Sequence, residues 1–109
     1  MDDMLEAIAG IQAAVAGKTL EDYRKEWILR HAVQRGIEII SEASRAIPED
    51  IQQLQPEVPW RSVRGISNVL RHEYHGLSDR IIWGVIVDEL LRLKHALEAI
   101  FEQVGPGPD

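Results

Sequence analysis

A chain of 109 residues is one domain by length, able to bury a modest core but too short for separate catalytic and binding domains. Its 45% hydrophobic and 28% charged residues, with few aromatics beside abundant Ala, Leu, Ile, Glu and Arg, describe a folded all-α protein. A net charge of −6 excludes coating of nucleic acid by bulk electrostatics, and the absence of cysteine excludes disulfides, thiolate metal sites and cysteine nucleophiles.

The apolar runs fall well short of a bilayer span and the N-terminus is acidic where a signal peptide would be basic, so the expectation is a soluble cytoplasmic protein with no membrane partner. In so small a chain, function must lie on a surface or be shared between subunits.

In chain order, Met4, Ile8, Ile11 and Val15 recur at helical spacing and predict a first amphipathic helix that stops at Gly17. Thr19 with Asp22 resembles a capping box and opens the longest pattern in the chain, a stripe through Leu29, Val33, Gly36, Ile37, Ile40, Ala43 and Ile47 to Pro48. One helix of roughly seven turns is expected there. Trp27, Ile28, Ala32 and Ile39 widen its apolar arc, which predicts contact with more than one neighbour. Gly36 inside the stripe costs about 1 kcal/mol relative to Ala, and close approach of another helix is its simplest explanation. Glu38 and Glu42 read as solvated carboxylates, and His31 and His95 as isolated, exposed side chains.

Pro48, Pro56 and Pro59 bracket a polar segment with Ile51 and Leu54 as its inward anchors, which predicts a short helical turn within a loop. Pro59 restarts regular structure, where a missing N–H costs nothing. From there Val63, Ile66, Val69 and Leu70 fall on one side of a helix and Arg64, Asn68, Arg71, His72 and His75 on the other. Trp60 reads as a packing anchor rather than a base-stacking platform. After Gly76, Ser78 can cap a last segment whose face runs Ile82, Val85, Ile86, Leu90, Leu93, Leu97, Ile100, Phe101 and Val104. A second stripe, Trp83, Val87 and Leu91, lies beside it, and two apolar faces on a terminal helix predict that one covers a partner subunit. Gly84 leaves open whether this segment is one helix or two. The expected architecture is an antiparallel up-down bundle of four to five helices over residues 1–104, followed by a flexible Gly/Pro tail over 105–109.

The stretch from Pro59 to Gly76 carries the chemistry. Residues 1–57 hold six basic and eleven acidic side chains, 58–76 hold three and one, and 77–109 hold three and six, so the middle segment alone is net positive on this division. His72 is a natural proton carrier near neutral pH. Arg64, Asn68 and Arg71 supply guanidinium and amide donors of the kind that bind a phosphodiester and stabilise charge building on it. A histidine beside arginines suits metal-independent RNA cleavage, which needs a base for the 2′-OH proton and a cation for the phosphorane. The competing reading of the same residues is a solvated helix face. His72 and His75 could also form an i, i+3 metal pair, but no third ligand stands at suitable spacing, so neither a metal nor a cofactor is expected.

The run Pro59-Trp60 through Ile66-Ser67-Asn68-Val69-Leu70-Arg71-His72-Glu73-Tyr74 resembles the signature of the HepT-like branch of the HEPN superfamily, Arg-Asn, three residues, His, one residue, Tyr. Residues 35–44 and Ile81-Ile82-Trp83 resemble it too. The resemblance implies an all-helical bundle that dimerises, with two motifs across a cleft acting as a metal-independent endoribonuclease. It also implies the toxin of a toxin-antitoxin pair, neutralised by a nucleotidyltransferase that adds AMP to the motif tyrosine. Carried over, Asn68 matches the motif asparagine, His72 the catalytic histidine and Tyr74 the modified residue, with Arg64, Arg71 and His75 as substrate-binding candidates. The position of the motif arginine is Ser67, whose hydroxyl cannot replace a guanidinium. Arg71 or Arg64 could take over its role; otherwise the protein is a catalytically silent HEPN member that binds nucleotide, RNA or its nucleotidyltransferase.

Overall fold

The structure, a computed structural model, describes residues 2–71 and 77–104, without the side chains of 69–71, 77 and 78. The tail expected over 105–109 lies outside the described residues. Among the described residues all regular structure is helical: α1 (Asp2–Val15), α2 (Leu20–Lys25), α3 (Trp27–Arg45), α4 (Glu49–Gln52), α5 (Trp60–Arg71), α6 (Leu77–Gly84), a π-helical turn (Val85–Glu89) and α7 (Leu90–Val104). The all-α bundle expected from the sequence is therefore the fold, and no helix of the described residues is long and apolar enough to cross a membrane.

Helix α1 ends as its sequence dictates. Gly17 takes a positive φ of 73°, a conformation that costs glycine nothing, and Lys18 N–H donates to Val15 O at 2.8 Å. Thr19 then closes the capping box, with its Oγ1 accepting from Asp22 N at 3.2 Å and its own N–H donating to Asp22 Oδ2 at 3.0 Å.

The single seven-turn helix expected from Thr19 to Pro48 is instead two. Glu26 leaves the helical region at φ −87° and ψ 106°, although its N–H still donates to Asp22 O and its carbonyl accepts from Arg30 N. The cause lies in what must be buried. Tyr23 and Leu29 are both core residues, yet six residues of continuous helix would point them about 120° apart. One extended residue turns both inward. The same break leaves Trp27 and Ile28 on the surface, 70% and 77% exposed, rather than in the widened contact arc.

Helix α3 is the strut against which α1 and α5 pack. At Gly36 a Cβ would lie 2.6 Å from Ile11 Cγ1, so the expected close approach is made by α1. Helix α5 runs antiparallel to α3, since Arg64 O accepts from Ser41 and Arg45 while Ser67 lies against Ser41. Its start is fixed by Trp60, which is buried and whose Nε1 donates to Gln52 O at 3.1 Å and Gln55 O at 3.0 Å. The packing role read for Trp60 is the one it has. Of the anchors expected between the prolines, Ile51 is partly buried and Leu54 is exposed.

The last segment begins at Leu77, one residue ahead of the expected cap at Ser78. Gly84 does not divide it: its backbone stays helical, and the π turn follows. Ile82, Ile86 and Leu90 are buried at successive steps of four residues, which would drift about 80° around an α-helix. The wider π turn absorbs that drift and keeps all three on the core. Of the second stripe, Trp83 packs on Tyr23 with ring centroids 5.9 Å apart, whereas Val87 and Leu91 face outward.

Candidate functional site

The motif helix α5 presents Asn68 to solvent and holds Arg64 half-buried. His72, Tyr74 and His75 lie outside the described residues, as does the Arg71 side chain, although Arg71 is the last helical residue of α5. What the structure defines is the frame on both sides of the motif.

On the upstream side, Ser67 is 5% exposed and engaged in a polar pin between α3 and α5. Ser41 Oγ donates to Arg64 O at 2.6 Å and shares a hydrogen bond with Ser67 Oγ at 3.2 Å, while Ser44 Oγ donates to Ser41 O at 2.7 Å. These three buried hydroxyls are satisfied by one another and by backbone, the condition under which burial of polar groups is tolerated. Position 67, where the resemblance leads one to expect an arginine, thus faces the helix interface and carries no charge. Arg64, one candidate for the displaced cation, donates from Nη1 to Gln52 Oε1 at 3.2 Å and so is drawn toward α4.

On the downstream side, Asp79 in the first turn of α6 is 7% exposed and is met by two guanidinium groups. Arg30 Nη1 stands 2.8 Å from Oδ1 and Arg24 Nε 3.8 Å from Oδ2. The Oδ1 contact is an ion pair rather than a well-aligned hydrogen bond. Arg30 also lies over the Tyr23 ring, 5.3 Å from its centroid, a cation–π contact. The Tyr23 hydroxyl is buried, and burial raises its pKa above the usual phenol value, against the opposing influence of Gln34 and Arg30. The start of α6 is therefore tied to α2 and α3 by charge and aromatic contact together. This cluster had no signature in the sequence, because its members are brought together only by folding.

The frame can be placed on α3. Ser67 sits opposite Ser41 and Asp79 opposite Arg30, eleven residues or about 16 Å apart along the helix, so both ends of the motif segment are moored to the same strut. His31 is exposed as expected but not isolated: its ring stacks on Trp27 at a centroid distance of 4.0 Å, and its Nδ1 bonds Trp27 O at 2.8 Å. Glu38 is exposed and meets Arg35 at 3.4 Å, and Glu42 is exposed.

A groove of about 800 Å³ opens where α5 and α7 stand apart over α3. Ile37 and Ile40 form its floor, Val63 and Ile66 one wall and Leu90 and Leu93 the other. The lining is mainly apolar and contains neither Asn68 nor Ser67, so it is distinct from the motif face.

An all-helical bundle defines a class, and comparison with known proteins narrows it. The family described as "Ribonuclease HepT-like" matches residues 4–100. A Thermococcus cleftensis protein bearing the name "Probable ribonuclease HepT" is 34% identical over 100 residues, covering 92% of this chain and 91% of its own length. A protein of Caldanaerobacter subterraneus subsp. tengcongensis, provisionally named an RNase, is 31% identical over 94% of this chain and 92% of its own. One from Methanocaldococcus jannaschii, named in the same provisional way, is 30% identical over 90% of each. No solved structure matches significantly. The chain belongs to the HepT-like ribonuclease family.

Proposed function

We propose that this protein is a metal-independent endoribonuclease, the toxin of a toxin-antitoxin pair, acting as a homodimer. The observation that carries the reading is the family match across residues 4–100, which spans the whole run from Asn68 through His72 to Tyr74. His72 draws the proton from a ribose 2′-OH, whose oxygen attacks the adjacent phosphorus. The bond to the 5′-oxygen breaks, and that oxygen takes up a proton supplied by the protonated histidine of the second copy. Asn68 donates a hydrogen bond to the phosphate. Arg71 is the favoured source of the missing positive charge, because Ser67 is committed to Ser41 and Arg64 is engaged by Gln52. The outward Val87 and Leu91 on the last segment support dimerisation.

A cognate nucleotidyltransferase would silence the protein by transferring AMP to the Tyr74 hydroxyl. The added phosphodiester puts a bulky anion beside a site that must bind phosphate, repelling RNA and blocking it sterically.

The buried Ser67 favours one other reading, a HEPN protein without catalysis that binds nucleotide, RNA or the nucleotidyltransferase. One assay separates the two: cleavage of a defined RNA by purified protein in EDTA. The ribonuclease reading expects cleavage that survives the chelator and falls at least about a hundredfold in His72→Ala. It expects a loss of similar size in Arg71→Ala. An inert wild-type protein would transfer the conclusion to the silent reading.

A further inference from the structure

We infer that Trp27, backed by His31, is a nucleobase-stacking subsite for single-stranded RNA beside the motif segment. The inference rests on the ribonuclease reading and adds to it the kind of RNA bound and where one base sits.

Three independent observations converge on it. First, Trp27 is a large aromatic side chain left 70% exposed at the start of α3. One face of its indole is covered by the His31 ring, at 4.0 Å and an interplanar angle of 29°. The His31 Nδ1 bond to Trp27 O holds that ring in place. A pre-stacked pair with one open π face is ready to accept a third planar group, and every nucleobase has one.

Second, the location is right. Trp27 and Arg45 are eighteen residues, five full turns, apart on α3 and so project in the same direction. Arg45 Nη2 reaches α5 at Arg64 O, 3.3 Å away, and Arg30, 60° round from Trp27, reaches α6 at Asp79. Trp27 therefore stands on the side of α3 that carries α5 and α6, near the Asp79 anchor in the first turn of α6.

Third, cations are at hand. Residues 18–35 carry five basic and three acidic side chains; Arg24 and Arg30 are taken up by Asp79, while Lys25 and Arg35, in surface pairs with Glu21 and Glu38, keep their side chains 71% and 67% exposed. Residues 58–76 carry a net +2, and the Asp79–Arg30 pair holds the start of α6, three residues beyond that stretch, against α3. Cations on both sides of that anchor suit an anionic strand laid across it. Trp27 and Ile28 are flanked by Arg24, Lys25, Glu26 and Arg30, a setting that suits a phosphate-linked base better than the apolar centre of a subunit interface.

Stacking of this kind needs an unpaired base, so the substrate is single-stranded or looped RNA rather than a duplex. The test compares wild type, Trp27→Ala, Trp27→Phe and His31→Ala on a short unstructured oligoribonucleotide and on its duplex. Affinity is read in a His72→Ala background and turnover in the active protein. The expected result is about a tenfold rise in Kd and KM for Trp27→Ala with kcat unchanged. Trp27→Phe should retain most of the affinity, and His31→Ala should fall between. Binding should quench tryptophan emission in the wild type, and Trp27→Phe should abolish the quench, since Trp60 and Trp83 are packed inside. The exposed position predicts an unchanged melting temperature for Trp27→Ala, so a binding defect is not a folding defect. Cleavage by wild type with equal Kd and KM in Trp27→Ala overturns the subsite and leaves the ribonuclease standing. A change of oligomeric state in Trp27→Ala overturns it in favour of a protein interface, equal affinity for duplex overturns the single-strand assignment, and a wild type that neither binds nor cleaves RNA overturns both readings.

Discussion

The helices α1 and α5 both lie against α3, yet they are held there by different physics. Against α1, α3 offers Gly36, and Ile11 fills the space so closely that one added carbon would meet it at 2.6 Å. Against α5, contact is made by hydroxyls and carbonyls around Ser41 and Ser67, and beyond them the bundle opens into the 800 Å³ groove under α7. The first interface is shape-matched and apolar, so it is stiff. The second is pinned at a few polar points, which fix register while leaving room around them. The motif helix lies on the second side, where buried Trp60 and Ile82 root α5 and α6 in the core and polar anchors set their register.

Gly36→Val is the harshest way to break this contrast. Its branched side chain would collide with buried Ile11 and force α1 away from α3. Overpacking of this kind costs about 3 kcal/mol, which chemical denaturation would register as a lowered midpoint with nearly unchanged slope. Undiminished stability in Gly36→Val would show that Ile11 can turn aside and that the interface is softer than its geometry.

Asp79→Ala tests the anchored side. Removing the carboxylate leaves Arg30 and Arg24 facing one another beside the Tyr23 ring without their shared counter-charge. Breaking a buried pair from one side is costly, and partial exposure of both arginines brings the expectation down to about 2 kcal/mol. The loss should be accompanied by weaker RNA cleavage at temperatures where the fold persists, because the carboxylate ties down the end of α6 that follows the motif. Retained cleavage in a destabilised Asp79→Ala protein would confine Asp79 to stability alone.

What could be read from the sequence follows the same division. Local devices were legible: the Thr19–Asp22 box, the turn at Gly17 and the core stripe of α3 each depend on residues within one or two turns. Gly36 was legible too, since a glycine set in a buried helical stripe marks where a neighbouring helix comes close. The break at Glu26 was not, because no Gly or Pro marks it and the i, i+4 pattern continues on either side; it follows from the need to bury Tyr23 and Leu29 at once. The π turn escaped for a similar reason, being a response to packing in which three core residues recur every fourth position. At the site, the family motif was visible as a string, whereas the burial of Ser67 depends on Ser41, twenty-six residues away. The excess of bases within residues 18–35 was hidden by counting charge over residues 1–57.

Tyr23→Phe is the mildest probe, and it tests the seam between the two sides through pH. The Tyr23 hydroxyl is buried without a well-formed hydrogen bond, and burial holds its pKa above the ordinary value near 10. In the unfolded chain the phenol ionises near that value, while in the folded protein it stays neutral to higher pH. Above pH 10 the unfolded state therefore releases a proton that the native state retains, and stability must fall as pH rises through that range. Phenylalanine removes the titration and the poorly bonded hydroxyl while keeping the ring that packs on Trp83 and under Arg30. At neutral pH the variant should match or exceed the wild type by less than about 1 kcal/mol. Between pH 9 and pH 11 its advantage should widen as the wild type weakens, a trend that thermal melts across this range would follow. Parallel pH profiles for the two proteins would mean that the hydroxyl reaches water, and that the Arg30–Tyr23–Trp83 seam is looser than the contacts on the Ile11 side.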